Sequence, residues 1–234
     1  MDYLTPLLAV AKRCAAIVLL LLCLPQWLYA TSVLQLDIEQ LLNDAAVIFE
    51  GEVIASEARW NEDNTYISTW VTFRVDDVIK GEMSSDTITQ SFAGGSVGDT
   101  RLQVSGMVYP QVGEKGIYFI ENPDRPQVNP MVGWGQGHFK VQTDAQGTER
   151  MLTENEEPIQ GLEDAASANI APQRRAQQAA LPLSEGAANG LRLGSVQEGL
   201  DTAMDKKDFK QALKARLSQA SAASEASVEA KTPK

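Results

Sequence analysis

Two matched runs of alternating side chains constrain this chain more than any other feature. Residues 45–60 alternate through Val47, Phe49, Gly51 and Val53, with Glu50 and Glu52 on the other side. Residues 65–79 alternate through Ile67, Thr69, Val71, Phe73 and Val75, opposite Tyr66, Ser68, Trp70, Thr72 and Arg74. A period of two belongs to a strand with one buried face. The tetrad Asn61-Glu62-Asp63-Asn64 between them has the composition of a turn. Together they predict a long antiparallel hairpin. Phe49, Val53, Val71, Phe73 and Val75 are expected to enter one core with Phe119 and Phe139, and Trp70 to face away from it.

Shorter extended runs follow at residues 86–92, 100–104, 107–109, 117–121, 138–142 and 149–152. The last two are expected to pair across a turn at residues 144–147. Residues 93–98 and 122–130 read as loops rich in Gly and Pro. Short strands with such turns and no helices between them predict a mainly β fold. The long, bent first strands favour a small OB-like antiparallel barrel, with Gly51 at the bend. A short helix precedes it. Asp37 is placed to cap that helix, with Gln40 as the capping-box partner and Ile38, Leu41 and Leu42 on one face.

The ends of the chain differ from its middle. Lys12 and Arg13 precede an apolar run over residues 14–24, then Pro25 and a short stretch to Ala30. This is the pattern of a cleavable export signal, too short for a comfortable membrane span. It predicts an exported chain, periplasmic or extracellular, starting near Thr31. Both cysteines, Cys14 and Cys23, would leave with residues 1–30. The remainder has no disulfide to rely on, so its core must hold by burial. Residues 31–152 form the expected barrel domain. Residues 153–204 are rich in small and polar side chains and read as a flexible segment. Residues 205–218 read as a basic amphipathic helix, with Phe209, Ala212, Leu213 and Leu217 on one face. Residues 219–234 read as a disordered tail.

Charge and composition narrow the chemistry. The formal net charge is -11. An acidic body repels nucleic acid, so none is expected as a partner. The single histidine, His138, offers too few nitrogen or sulfur ligands for a zinc site, and no cofactor is implied. Asn61-Glu62-Asp63-Asn64 lacks calcium-loop spacing. Gly94-Gly95-Ser96-Val97-Gly98 lacks the lysine and following helix of a phosphate loop. No nucleophile elbow accompanies His138.

Two surfaces remain as binding candidates. In residues 131–138, glycines alternate at 133, 135 and 137, so an extended chain would place Trp134, Gln136 and His138 on one side. The outward face of the second long strand carries Tyr66, Trp70 and Arg74. Aromatic side chains and Arg are favoured interface anchors.

The order of these pieces resembles a widespread group of exported bacterial β-domains. It is carried by the run Ala45-Ala46-Val47-Ile48-Phe49-Glu50-Gly51-Glu52-Val53, then Arg59-Trp60, Val71-Thr72-Phe73-Arg74-Val75 and Val78-Ile79-Lys80-Gly81. Gly94-Gly95, Val104-Ser105-Gly106-Met107, Val112-Gly113-Glu114, Gly133 and Gln136-Gly137 complete it. The same order is similar to the OB-type barrel of the netrin and tissue-metalloproteinase-inhibitor superfamily. That resemblance implies a barrel and a habit of binding proteins, such as a protease. It does not imply the zinc-chelating N-terminal cysteine of the animal inhibitors, because Thr31 stands at the expected first position. The leading expectation is a non-enzymatic exported domain that binds a protein or envelope component. The alternatives are a hydrolase using His138 and a structural protein without a dedicated ligand.

Overall fold

The computed structural model describes residues 32–163, 180–182 and 186–229. The expected export signal, residues 1–30, lies outside them. The fold is mainly β. A six-stranded antiparallel sheet runs in the order β4-β3-β2-β7-β8-β9. Its strands are β2 (Val47–Trp60), β3 (Ile67–Lys80), β4 (Thr87–Ala93), β7 (Lys115–Ile120), β8 (His138–Thr143) and β9 (Glu149–Thr153). Three two-stranded pieces surround it. They pair β1 (Ser32–Leu34) with β11 (Ala180–Pro182), β5 (Gly95–Val97) with β6 (Thr100–Leu102), and β10 (Ile159–Leu162) with β12 (Leu191–Leu193). Among the described residues two α-helices complete the fold, α1 (Ile38–Asp44) and α2 (Lys206–Glu229).

The expected hairpin is present. β2 and β3 pair from Trp60↔Ile67 down to Ile48↔Lys80, with register shifts after Ile48, Glu50 and Val53. Each shift adds local twist. Gly51 sits at the second, where a Cβ would collide with the Arg74 carbonyl. The capping box of Asp37 and Gln40 starts α1. Lys80 closes its other end by donating to the carbonyls of Leu42, Asn43 and Ala45, where a cation suits the helix dipole.

The single core expected from the alternation is in fact two, one on each face of the sheet. Phe49, Val53, Val71 and Phe73 pack with Phe92, Tyr118 and Ile120 on one face. Phe119 and Phe139 belong to the other, with Ile48, Ile117, Met151 and the two helices. β7 over residues 116–120, β2 over residues 47–49 and the start of β8 at residues 138–139 are covered on both sides, so both side-chain sets are buried there. Phe73 is fully buried and Trp70 is half-buried on the opposite face, as the alternation requires.

The six-stranded sheet is open, with β4 and β9 as its edges, and the closure expected of a barrel is not seen among the described residues. The chain covers the outer side of β9 instead. Met151 N–H donates to the Met204 carbonyl and Thr153 N–H to the Glu157 carbonyl, both at 3.0 Å. Covering an edge removes the drive to close it on the opposite strand.

The segment expected to be flexible, residues 153–204, contributes β10, β12 and buried Ile159, Ala188 and Leu191. Its residues 164–179 and 183–185 lie outside the described part. The tail expected to be disordered is helical as far as Glu229, because α2 continues without a break. Alanine propagates a helix once a docked turn has nucleated it. No helix among the described residues is long and apolar enough to cross a membrane.

Candidate functional site

His138 opens β8, opposite Tyr118 of β7. The adjacent pair Phe139↔Thr153 brings the end of β9, and so Glu154, beside it. Glu114 enters from the turn before β7, which docks on β2 through Val53 N–H to the Glu114 carbonyl at 2.9 Å. The imidazole therefore lies between two carboxylates. Nε2 is 2.6 Å from Glu114 Oε1 and Nδ1 is 3.3 Å from Glu154 Oε1. His138 is 1% exposed. Tyr118 donates its hydroxyl to the same Glu114 oxygen at 3.3 Å, and its ring lies 5.2 Å from the imidazole.

Burial alone would lower the His138 pKa, but the hydrogen bonds and charges of Glu114 and Glu154 outweigh it and raise it above the ordinary value. Burial acts upward on Glu114; His138 and Lys140 overcome this and hold the carboxyl below its usual range. Burial and then Glu114 push the Tyr118 phenol upward. A charged imidazole donates both N–H groups here and keeps no lone pair. No serine hydroxyl hydrogen-bonds it among the described residues. As built, the cluster ties three strands together.

Residues 131–138 are not an extended strip. Trp134–Gly137 forms a 3-10 turn entered through Gly133 at φ +61°. Trp134 is half-buried, while Gln136 and His138 are buried. Gln136 accepts from Leu36 N–H at 2.7 Å and donates to the Leu34 and Gly133 carbonyls. It fastens the N-terminal segment to the sheet. Gly135 leaves room for Glu154, whose carboxylate occupies the place of a Cβ. The three expected recognition residues thus do not share an exposed face.

The hairpin residues remain at the surface. Tyr66 is exposed at the turn. The Arg59 guanidinium lies 4.2 Å from the centre of the Trp70 ring, a cation–π stack. Arg74 pairs with Glu52 at 2.9 Å and Asp76 at 3.0 Å. The other face of the hairpin borders a cleft of about 340 Å³ beside β5 and β6. Ser56, Thr69, Arg101, Met107, Tyr109 and Gln111 line it. Tyr109 is fixed there by its hydroxyl, which donates to the Ala93 carbonyl at 2.8 Å.

Nothing in the sequence marks Glu114, Glu154, Arg101 or Tyr109 as a site residue. Glu114 and Glu154 are 24 and 16 residues from His138, and no local spacing joins them. The one available signal is a lone histidine in a strand, which when buried needs polar partners.

No family model matches the chain, and neither the curated proteins nor the solved structures contain a match.

Proposed function

We propose that the chain is an exported, non-enzymatic binding domain for a protein or cell-envelope component, docked on the distal half of the β2–β3 hairpin. The observation that carries this reading is the length of the hairpin relative to its neighbour. β7 pairs with β2 only from Val47 to Glu52. Residues 54–60 continue beyond it, paired to β3 alone. Their outer face presents Trp70 under Arg59, residue types that anchor interfaces. The engagement of both His138 nitrogens supports a structural rather than catalytic role for that residue. Export rests on the charged and apolar pattern of residues 12–30. The likeness to the netrin and inhibitor superfamily adds a habit of protein binding by analogy only.

The test is photo-cross-linking in the native envelope with a reactive side chain at Thr72, beside Trp70. A discrete adduct that is lost in Trp70→Ala supports the reading. Absence of any adduct, or a hydrolytic activity that disappears in a folded His138→Gln variant, would overturn it. N-terminal sequencing of the exported protein should begin near Thr31.

A further inference from the structure

The distal half of β2 has a free edge. The phase of the hairpin fixes which groups lie on it. Asn61 N–H donates to the Tyr66 carbonyl at 2.8 Å. Hydrogen-bonded and non-bonded pairs alternate along an antiparallel ladder. Arg59↔Ser68, Glu57↔Trp70 and Ala55↔Thr72 are therefore the pairs that exchange bonds across the hairpin. Ser56, Ala58 and Trp60 turn their N–H and C=O groups away from β3. The other strand agrees: the Ile67 carbonyl accepts from Gly94 N–H at 2.8 Å, on the side away from β2. Among the described residues no backbone or side-chain group bonds the outward groups of residues 56–60.

This edge adjoins the cleft. Ser56 and Ala58 share the inner face with Thr69, and Ser56 and Thr69 both line the cleft wall. Arg101 is exposed at the cleft and has no ion-pair partner among the described residues. Most other cations near the sheet are matched: Arg74, Arg150, Lys206 and Lys210 each have a carboxylate. An unpaired guanidinium beside a row of free amides suits an extended chain that brings its own carboxylate.

We infer that the site takes an extended peptide segment of a partner protein, added as a strand along Ser56, Ala58 and Trp60, with an acidic side chain reaching Arg101. This rests on the protein-binding reading and specifies its mode. Main-chain bonds along the edge supply affinity, and the cleft reads alternate side chains. The acidic body of the protein favours a partner whose acidity is confined to that one side chain.

The probe is a displayed library of random nonapeptides selected on the mature protein, with affinities then measured by fluorescence anisotropy. Selected sequences should alternate β-branched residues and carry Asp or Glu at one register position. N-methylation of alternate backbone amides in the best peptide should weaken binding by about tenfold or more, the loss of one or two hydrogen bonds. Arg101→Glu should shift the preference from Asp or Glu to Lys or Arg. Ala58→Pro and Ser56→Pro each remove one outward N–H and leave the β2–β3 ladder bonds in place, so both should fold and bind at least about tenfold more weakly. The peptide modification keeps the test decisive if either proline variant fails to fold.

No selectable binder, binding indifferent to N-methylation, or a wild-type dimer that Ala58→Pro dissociates would overturn the inference. The last result would assign the edge to a second copy. A cross-linked envelope partner lost in Trp70→Ala but retained in Ala58→Pro would sink strand addition alone and leave the protein-binding reading standing.

Discussion

A buried imidazole held by two carboxylates makes a sharp demand on single residues. Removing His138 leaves Glu114 and Glu154 facing each other without the cation that lies between them. Breaking a buried ion pair from one side costs about 3–5 kcal/mol, so His138→Ala is expected to lose that much in urea unfolding. A loss within experimental error of wild type would mean the cluster does not hold the strands. Phe73 is a second such position. It is fully buried and stacks edge-on with Phe49 at 5.5 Å between ring centres. Phe73→Ala should cost about 3–5 kcal/mol, and Trp70→Ala clearly less, because Trp70 keeps one face toward Arg59 and solvent. The alternation in residues 65–79 makes Phe73 legible in the sequence. His138 was legible only as a lone histidine. Its partners come from the turn before β7 and the end of β9, and nothing local in the sequence announces that convergence.

At the scale of elements, α2 shows what a charge and hydropathy pattern reveals and what it hides. The apolar stripe is used as written: Phe209 and Leu213 are fully buried, and Leu217 packs against the same core. Phe209 lies 5.3 Å from the Phe139 ring, so the helix seals the face opposite the cleft. The basic residues meet the acidic body one by one. Lys206 bonds Glu50 at 2.5 Å, Lys210 bonds Glu50 and Asp77, Lys214 bonds Asp77, and Arg216 bonds Glu39. Partly exposed pairs contribute little each, so burial of the stripe dominates. Phe209→Ala should cost about 3–5 kcal/mol. Hydrogen exchange should find protected amides around residues 209–217 and faster exchange over residues 218–223, where the side chains are exposed. Uniform rapid exchange through residues 209–217, with stability unchanged on deleting residues 205–234, would remove α2 from the fold. The pattern predicted the helix but not its length. It also missed β10 and β12, because strands of three or four residues such as Leu191–Leu193 carry too little alternation to register.

For the whole molecule, the two-sided sheet explains why six strands do not curl into a barrel. Helices fill one face, the cleft and its loops border the other, and the chain itself covers the β9 edge. Such a body, with a formal charge of -11, has a stability that depends on pH in two separable ways. Glu114, Glu50 and Asp77 all titrate below their usual range. Burial pushes each of them up, and their hydrogen-bonded cations outweigh it. Their contribution is present above the ordinary carboxylate range and is lost as pH falls through their lowered values. The acid limb is thus shared. The alkaline side is not. Lys206 and Lys210 are raised from 10.5 by carboxylates that overcome burial, so they keep contributing until the pH passes that value. His138 alone is raised from 6.5. Its contribution is full below pH 6.5 and falls as pH rises toward its folded value, because the unfolded chain gives up that proton first. Urea midpoints should therefore decline from pH 6.5 toward pH 9 in the wild type. In His138→Gln the midpoint should be lower at pH 6 and nearly flat over the same interval, so that the two proteins converge as pH rises. Parallel profiles for the two would show that His138 is neutral in the folded protein and that the carboxylates do not hold its proton.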